Sequence, residues 1–349
     1  MKHSYFLFLL LSYFSFSQQP YYSGIDFNQT GLDLKEDLSI LITSTHTNTL
    51  SYGWDATQAT DVNPSNSSNV LLIYGWENGS DLDCTNDLER NIGSNGSLSC
   101  DYNREHVYAK SKATPAMDNS GPGADGHHIR ASDVQRNGQR DNKKFADGSG
   151  NSGTVNSGAN WYPGDDWKGD VARVIMYMYL RYGSQCLPTN IGEGSSAGTP
   201  DDMIDLFLEW NAEDPPSTYE TQRNDYHENT SNTYAQGNRN PFIDNPALAT
   251  AIWGGPDAQD TWGNILSSED FYNINSISMY PNPVKSDFVN ISTSQDLDVI
   301  IYDVLGKQIS SEKVTQTQNT IDVSSFNKGI YLVKLISESG QVTKKLIKQ

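Results

Sequence analysis

The chain has 349 residues and a formal net charge of −19, with 36% apolar and 19% charged residues. That length allows two domains with a sizeable core, while the low apolar content and abundant Gly, Ser, Asn, Asp and Thr point to long polar loops. The acidic total excludes a uniformly basic, polyanion-binding surface, although the distribution of charge decides more than its sum.

At the start, in MKHSYFLFLLLSYFSFSQQ, Lys2 and His3 precede an apolar run from Tyr5 to Phe14, and Ser15-Phe16-Ser17 supplies a small-x-small site. This is the pattern of a secretory signal peptide spanning residues 1–17. The run is shorter than the ~20 residues that a membrane helix needs. Next, TGLDLKEDLSILITS predicts a helix capped by Thr30 with Leu34, Leu38, Leu41 and Ile42 on its apolar face. NVLLIYGW, Asn69 to Trp76, reads as a strand. Export permits disulfides. Cys84 and Cys100 bracket a polar loop and are expected to form a bridge with Cys186 left free, the alternative being three reduced thiols.

Between Arg104 and Lys144 the charge balance inverts, with Arg104, Lys110, Lys112, Arg130, Arg136, Arg140, Lys143 and Lys144 set against five acids. The middle of an acidic chain is locally basic. Two further helices follow. GDVARVIMYMYLRYG carries a Val171, Val174, Ile175, Met178, Tyr179, Tyr182 stripe and stops at Gly183. TPDDMIDLFLEWN has Pro200 in its first turn and Met203, Leu206, Phe207 and Trp210 as its apolar face. After Trp253 comes a polar connection, residues 254–276, and from Ile277 short strands alternate in period two around Gly306, Gly329 and Gly340, which predicts a small β-sandwich over 277–349. The fold class expected is α+β over residues 18–253, followed by an all-β domain.

No G-x-S-x-G, H-E-x-x-H, C-x-x-C or Walker loop is present, so serine hydrolases, common zinc proteases and nucleotide enzymes lose support. What remains is a His, Asn, Arg and Glu set between Asn103 and Asn142. Phosphodiester hydrolysis asks for such an inventory: a base for water, a divalent ion for the negative transition state, and cations for the phosphate. Imidazole suits the base, and Glu and Asn oxygens suit a hard cation.

MYPNPVKSDFVNIS, VIIYDVLGKQI, IDVSSFNKGIYLVKLIS and the closing TKKLIKQ resemble the C-terminal sorting domain of proteins exported by the type IX secretion system. The resemblance implies export, contact with that machinery, and a secreted or cell-surface destination. NREHVYAKS, DGHHIRASDVQRNGQRDN and QGNRNPFIDNP resemble, in order, the motifs of the bacterial endonuclease I family, nucleases built on a ββα-metal (His-Me) finger. Carried over residue by residue, this similarity implies His106 as general base, Glu105 and Asn137 as ligands to Mg²⁺ or to Ca²⁺ or Mn²⁺, Arg140 at the phosphate, and His127 as support for the finger. Lys110, Arg130 and Arg239 are candidate substrate contacts. The function implied is a monomeric, secreted, metal-dependent and sequence-nonspecific endonuclease acting on DNA, and on RNA as a further substrate, leaving 5′-phosphates. A catalytically silent surface protein that binds nucleic acid or mediates adhesion on the same scaffold is the alternative.

Geometry adds two expectations. Adjacent residues of an extended segment face opposite ways, so at most one of His127 and His128 meets the site. Glu105 and His106 can likewise serve one phosphate only where their strand ends, twists or bulges, and an irregularity is expected there.

Overall fold

The computed structural model describes residues 20–77, 79–263, 265–266, 277–293, 296–315, 318–337 and 340–349, so the signal peptide expected at 1–17 lies outside the described residues. The chain divides into two units, Met1–Leu266 and Ser267–Gln349.

In the first unit, α1 (Gly31–Ser44) buries Leu34, Leu38 and Ile42 as its spacing predicts, although Thr30 makes no side-chain cap. A short helix α2 (Trp54–Thr60) leads into an antiparallel sheet of β1 (Val62–Asn63), β2 (Asn66–Leu71) and β3 (Glu89–Asn91). The strand expected to run to Trp76 ends at Leu71, because Tyr74 takes φ +75 in a turn and the Ile73 amide bonds instead to the Ala131 carbonyl. Then come β4 (Tyr102–His106), β5 (Ile129–Asp133), α3 (Val134–Arg140), and the hairpin β6 (Gly153–Val155) and β7 (Asn160–Tyr162).

Helix α4 (Lys168–Tyr182) is the axis of this unit. It is buried along nearly its whole length and ends at Gly183, whose φ of +54 suits a residue without Cβ. Against it pack α1, α5 (Pro188–Ile191), α6 (Asp205–Glu213) and later α8 (Pro241–Asp244). Helix α6 starts at Asp205 rather than near Pro200, since Asp201 and Asp205 spend their carboxylates on the amides of Met203 and Ser195 in the preceding loop. A complete capping box, Ser217 with Glu220, opens α7 (Thr218–Glu228). The helical part closes with α9 (Ala247–Trp253).

Part of the stretch expected as a connection, residues 254–276, packs into the first unit. Trp262 is buried against Tyr22 and Phe27 with ring centroids 5.2 Å apart in each pair, and the Asp260 carboxylate accepts from the amides of Trp262, Gly263, Ile265 and Leu266. Residues 254–266 therefore belong to the first unit; polar composition hid a segment whose polarity is satisfied internally.

The second unit has two antiparallel sheets. One runs β11 (Gln308–Val314), β10 (Leu297–Asp303), β13 (Gly329–Ser337), β14 (Gly340–Lys348), and the other β12 (Thr320–Asp322), β9 (Phe288–Ser292), β8 (Ser278–Tyr280). Alternate residues such as Val289 and Ile291, Val299 and Ile301, and Val333 and Leu335 fill one shared core, the inward half of a period-two pattern. Among the described residues no helix is long and apolar enough to cross a membrane.

Candidate active site

Strands β4 and β5 pair antiparallel from Tyr102↔Asp133 to His106↔Ile129 without a register shift. Helix α3 follows at once, its first turn capped by Asp133, which accepts from the Arg136 amide at 2.9 Å. The result is a ββα unit. Because side chains alternate along β4, Asn103 and Glu105 share one face while Tyr102, Arg104 and His106 share the other.

The first face looks at α3. Asn137 Nδ2 donates to Asn103 Oδ1 at 2.6 Å, and Arg140, one turn further along the helix, reaches Glu105 Oε1 at 3.3 Å. Tyr74 Oη also donates to that oxygen, at 2.9 Å. Burial pushes the Glu105 carboxyl above its ordinary pKa, a shift that Arg140 and the Tyr74 hydroxyl partly offset. These bonds leave Glu105 Oε2 and Asn137 Oδ1 as hard oxygen donors on one side of the sheet, a set that suits a hard divalent cation with water and phosphate oxygens completing its shell. Among the described residues no group of three or more His, Cys, Asp or Glu side chains that could hold a metal ion comes together.

The second face holds His106. Its Nε2 lies 2.9 Å from the Gly123 carbonyl oxygen. A carbonyl only accepts, so the proton sits on Nε2 and the Nδ1 lone pair is left to accept another. Burial is the largest influence on this imidazole, and with Lys110, Arg104 and Arg140 nearby it lowers the pKa to about 4 despite the Gly123 bond. His106 is neutral at physiological pH. It is also the last residue of β4. Of the three expected alternatives, an end, a twist or a bulge, the strand takes the first: it pairs without a register shift and stops at His106.

Of the paired histidines, His128 is the one beside His106, with ring centroids 5.4 Å apart and its ring buried near the Pro122 backbone. His127 points into the interior, where Nε2 meets the Asn238 carbonyl at 3.2 Å and the ring packs on Tyr177 and His227. It supports the region between the finger and α4 rather than the site itself.

Three expected phosphate contacts are corrected by burial. The Arg140 guanidinium donates to the carbonyls of His106, Val107 and Asp141 and pairs with Glu105, all behind the strand. Arg130 is buried and donates to the His127 carbonyl at 3.1 Å. Arg239, in QGNRNPFIDNP, is enclosed by Asp225, Glu228 and Asp244 at 2.6–2.9 Å. Each cation already contacts an anion or a carbonyl, although among the described residues Nε of Arg130 and of Arg140 finds no partner. Lys110 does lie on the His106 side, with Nζ 2.6 Å from Asn119 Oδ1 and 6.0 Å from the Tyr52 ring. Tyr52, Tyr74 and Asn103 were not singled out from the sequence; of these, only Asn103, two residues before Glu105, carried a readable signal, the period of the strand.

The expected disulfide is present. Cys84 and Cys100 are joined, and Cys186 is free and buried. The bridge closes the segment that carries β3, from which Arg90 reaches the Asp101 carbonyl at 2.8 Å and Asp133, the cap of α3, at 2.7 Å.

Residues 30–247 match the family model of endonuclease I. The chain belongs to the endonuclease I family. Residues 278–349 match the secretion system C-terminal sorting domain. Over 243 residues the chain is 40% identical to an extracellular ribonuclease of Bacillus subtilis (strain 168), covering 67% of this chain and 78% of that protein. An extracellular ribonuclease of Bacillus amyloliquefaciens is 38% identical over 235 residues, 64% of this chain and 75% of the relative. This member of the endonuclease I family is therefore a nuclease carrying an export signal at its C-terminus, secreted or held at the cell surface.

Proposed function

We propose that the protein is a monomeric, metal-dependent, sequence-nonspecific endonuclease that hydrolyses phosphodiester bonds in both RNA and DNA. The observation that carries the mechanism is the Gly123 carbonyl on His106 Nε2, which leaves Nδ1 as a base at the end of β4. The Bacillus relatives, named extracellular ribonucleases, support RNA as a substrate beside DNA.

His106 Nδ1 takes a proton from water, the resulting hydroxide attacks phosphorus in line, and the P–O3′ bond breaks with its electron pair leaving on O3′, which takes a proton from solvent to give a 3′-hydroxyl beside a 5′-phosphate while His106 returns its proton to water. Neutrality at rest is what this role needs, and burial with three neighbouring cations provides it. A divalent cation held by Glu105 and Asn137, Mg²⁺ or else Ca²⁺ or Mn²⁺, would supply positive charge for the phosphate and the leaving oxygen. Arg140 keeps Glu105 ionised and aimed, and Lys110 draws the polyanion toward the His106 face.

Digestion of plasmid DNA and of a long RNA, with and without EDTA and beside His106→Ala, tests this. Loss of cleavage by at least ~10²-fold is expected for the variant, together with loss on chelation. Activity that survives both would exclude the mechanism.

A further inference from the structure

We propose that Tyr52 is a positioning residue for His106, holding the plane of its imidazole from the end of a column of stacked side chains. The inference rests on the reading of His106 as the base. The Tyr52 ring stacks on the His106 ring at 4.8 Å between centroids and 29° between planes. The Arg104 guanidinium lies 3.9 Å from the same Tyr52 ring and 4.1 Å from the Trp54 ring. Trp54 in turn meets Tyr102 edge-on at 6.1 Å. The contacts thus run His106, Tyr52, Arg104, Trp54, Tyr102.

The period of β4 makes this column possible. Tyr102, Arg104 and His106 project from one face, and the segment entering α2 lays Tyr52 and Trp54 against that face. Two hydrogen bonds lock the register of the two segments: Arg104 Nη1 donates to the Tyr52 carbonyl at 2.9 Å, and Tyr52 Oη donates to the Arg104 carbonyl at 3.3 Å. Cation–π and aromatic contacts add to each step.

An imidazole held only by Nε2 on the Gly123 carbonyl pivots about that bond, and Nδ1 swings with it. A ring stacked on its face removes that freedom. The hydrogen bond and the stack together fix where the Nδ1 lone pair points, which is what an in-line attack requires, since a misplacement of about 1 Å costs on the order of 10²-fold in rate. Neither Tyr52 nor Arg104 need touch the reacting atoms for this. The Tyr52 hydroxyl is spent on a backbone carbonyl, so the ring rather than the phenol is the working part.

The test compares Tyr52→Phe and Tyr52→Leu in the full-length secreted protein, with His106→Ala in parallel. Tyr52→Phe keeps the ring and is expected to hold kcat within about twofold. Tyr52→Leu is expected to lower kcat by about 10–100-fold while KM stays within about twofold and the melting temperature is maintained. Ring-carbon NMR relaxation of His106 in the EDTA-treated wild-type protein supplies a readout that does not depend on activity or on a variant folding: the ring should be as rigid as the backbone around it. Wild-type kcat in Tyr52→Leu beside an inactive His106→Ala would overturn the positioning role alone, as would a freely reorienting His106 ring in the wild type. Full activity in His106→Ala would instead overturn the assignment of the base.

Discussion

Arg140 Nη1 reaches Glu105 at 3.3 Å and the carbonyls of His106 and Asp141, and Nη2 donates to the Val107 carbonyl, so both terminal nitrogens of the buried guanidinium serve the carboxylate and the strand end, while Nε finds no partner among the described residues. Both partners are buried, and breaking such a pair by removing one member costs about 3–5 kcal/mol because the other charge is stranded. Arg140→Met is therefore expected to lower stability by about that amount in urea denaturation and to abolish cleavage. Glu105→Gln combined with Arg140→Met should recover much of the stability and none of the activity; a stable Arg140→Met protein would show that the pair contributes little. The contrast with Arg239 explains what the sequence left hidden. Both arginines sit in motifs rich in polar residues, and a motif records that a cation is present but not which anions the fold will bring to it, whether from within the motif, as Asp244, or from outside it, as Asp225 and Glu228. Asp225, Glu228 and Asp244 claim Arg239 from α7 and α8. Glu105, His106 and Asn137 could be named as candidates because the motifs NREHVYAKS and DGHHIRASDVQRNGQRDN resemble those of the family, and the fold places these motifs on one ββα unit. Tyr52 could not, since only tertiary packing brings its loop to β4.

At the scale of elements, the helical stripes of α1 and α4 were readable from their period, whereas the boundaries that failed did so where side chains satisfy backbone locally, at Asp201, Asp205 and Asp260. The same accounting applies to the cluster that joins the finger to α4. Asp125 accepts from Tyr177 and Tyr182 of α4 at 2.8 and 2.7 Å and from Gln236 at 3.0 Å, with His46, His127, His128, His227, Arg130 and Arg223 facing the same cluster. Burial lowers His127 to about 4 and His128 to about 3, and carries His227 well below its usual value. A histidine depressed in the folded state binds its proton preferentially when unfolded. Stability is therefore complete above the unfolded value near ~6.5 and falls as pH drops toward the folded values, by about 1.4 kcal/mol per pH unit for each histidine in that window. Asp125 acts in a different range. Burial raises its pKa, but the histidines and the Tyr182 hydroxyl outweigh that and hold it well below the ordinary carboxylate value, so its contribution is lost only below ~3.8. Melting of the first unit should fall steadily from pH 6.5 to 4.5, and His227→Leu should flatten that slope by about one histidine's share; a melting temperature unchanged between pH 7 and 5 would refute the assignment.

Over the whole molecule the charge is divided unevenly. Residues 267–349 contain eight lysines and nine acids, so eighteen of the nineteen net negative charges lie in the nuclease unit. A polyanionic substrate thus approaches an acidic body whose site end carries Lys110 and Lys112 on the turn after β4. Asn142 joins this turn through Nδ2 to Ser111 Oγ at 3.2 Å, whereas the next two cations are engaged elsewhere, Lys143 on the Gln139 carbonyl and Lys144 on the Thr189 carbonyl and Glu193. These two influences have different ranges. At about 0.01 M salt the Debye length is ~30 Å and the distant acids repel the substrate; at about 0.15 M it is ~8 Å and only the local lysines still act. Further salt then competes with phosphate contacts directly, with log affinity falling by about 0.7–0.9 per log unit of salt for each contact. The expected kcat/KM is therefore a peaked function of ionic strength, rising as the global repulsion is screened and falling as the local attraction is. Lys110→Gln with Lys112→Gln should lower the peak and make the falling limb shallower by up to two contacts' worth, with the rising limb unchanged. Deleting residues 267–349 removes almost no net charge and should leave both limbs where they were. A monotonic fall from the lowest salt in the intact protein would mean that the acids of the nuclease unit are too far from the path of the substrate to be felt.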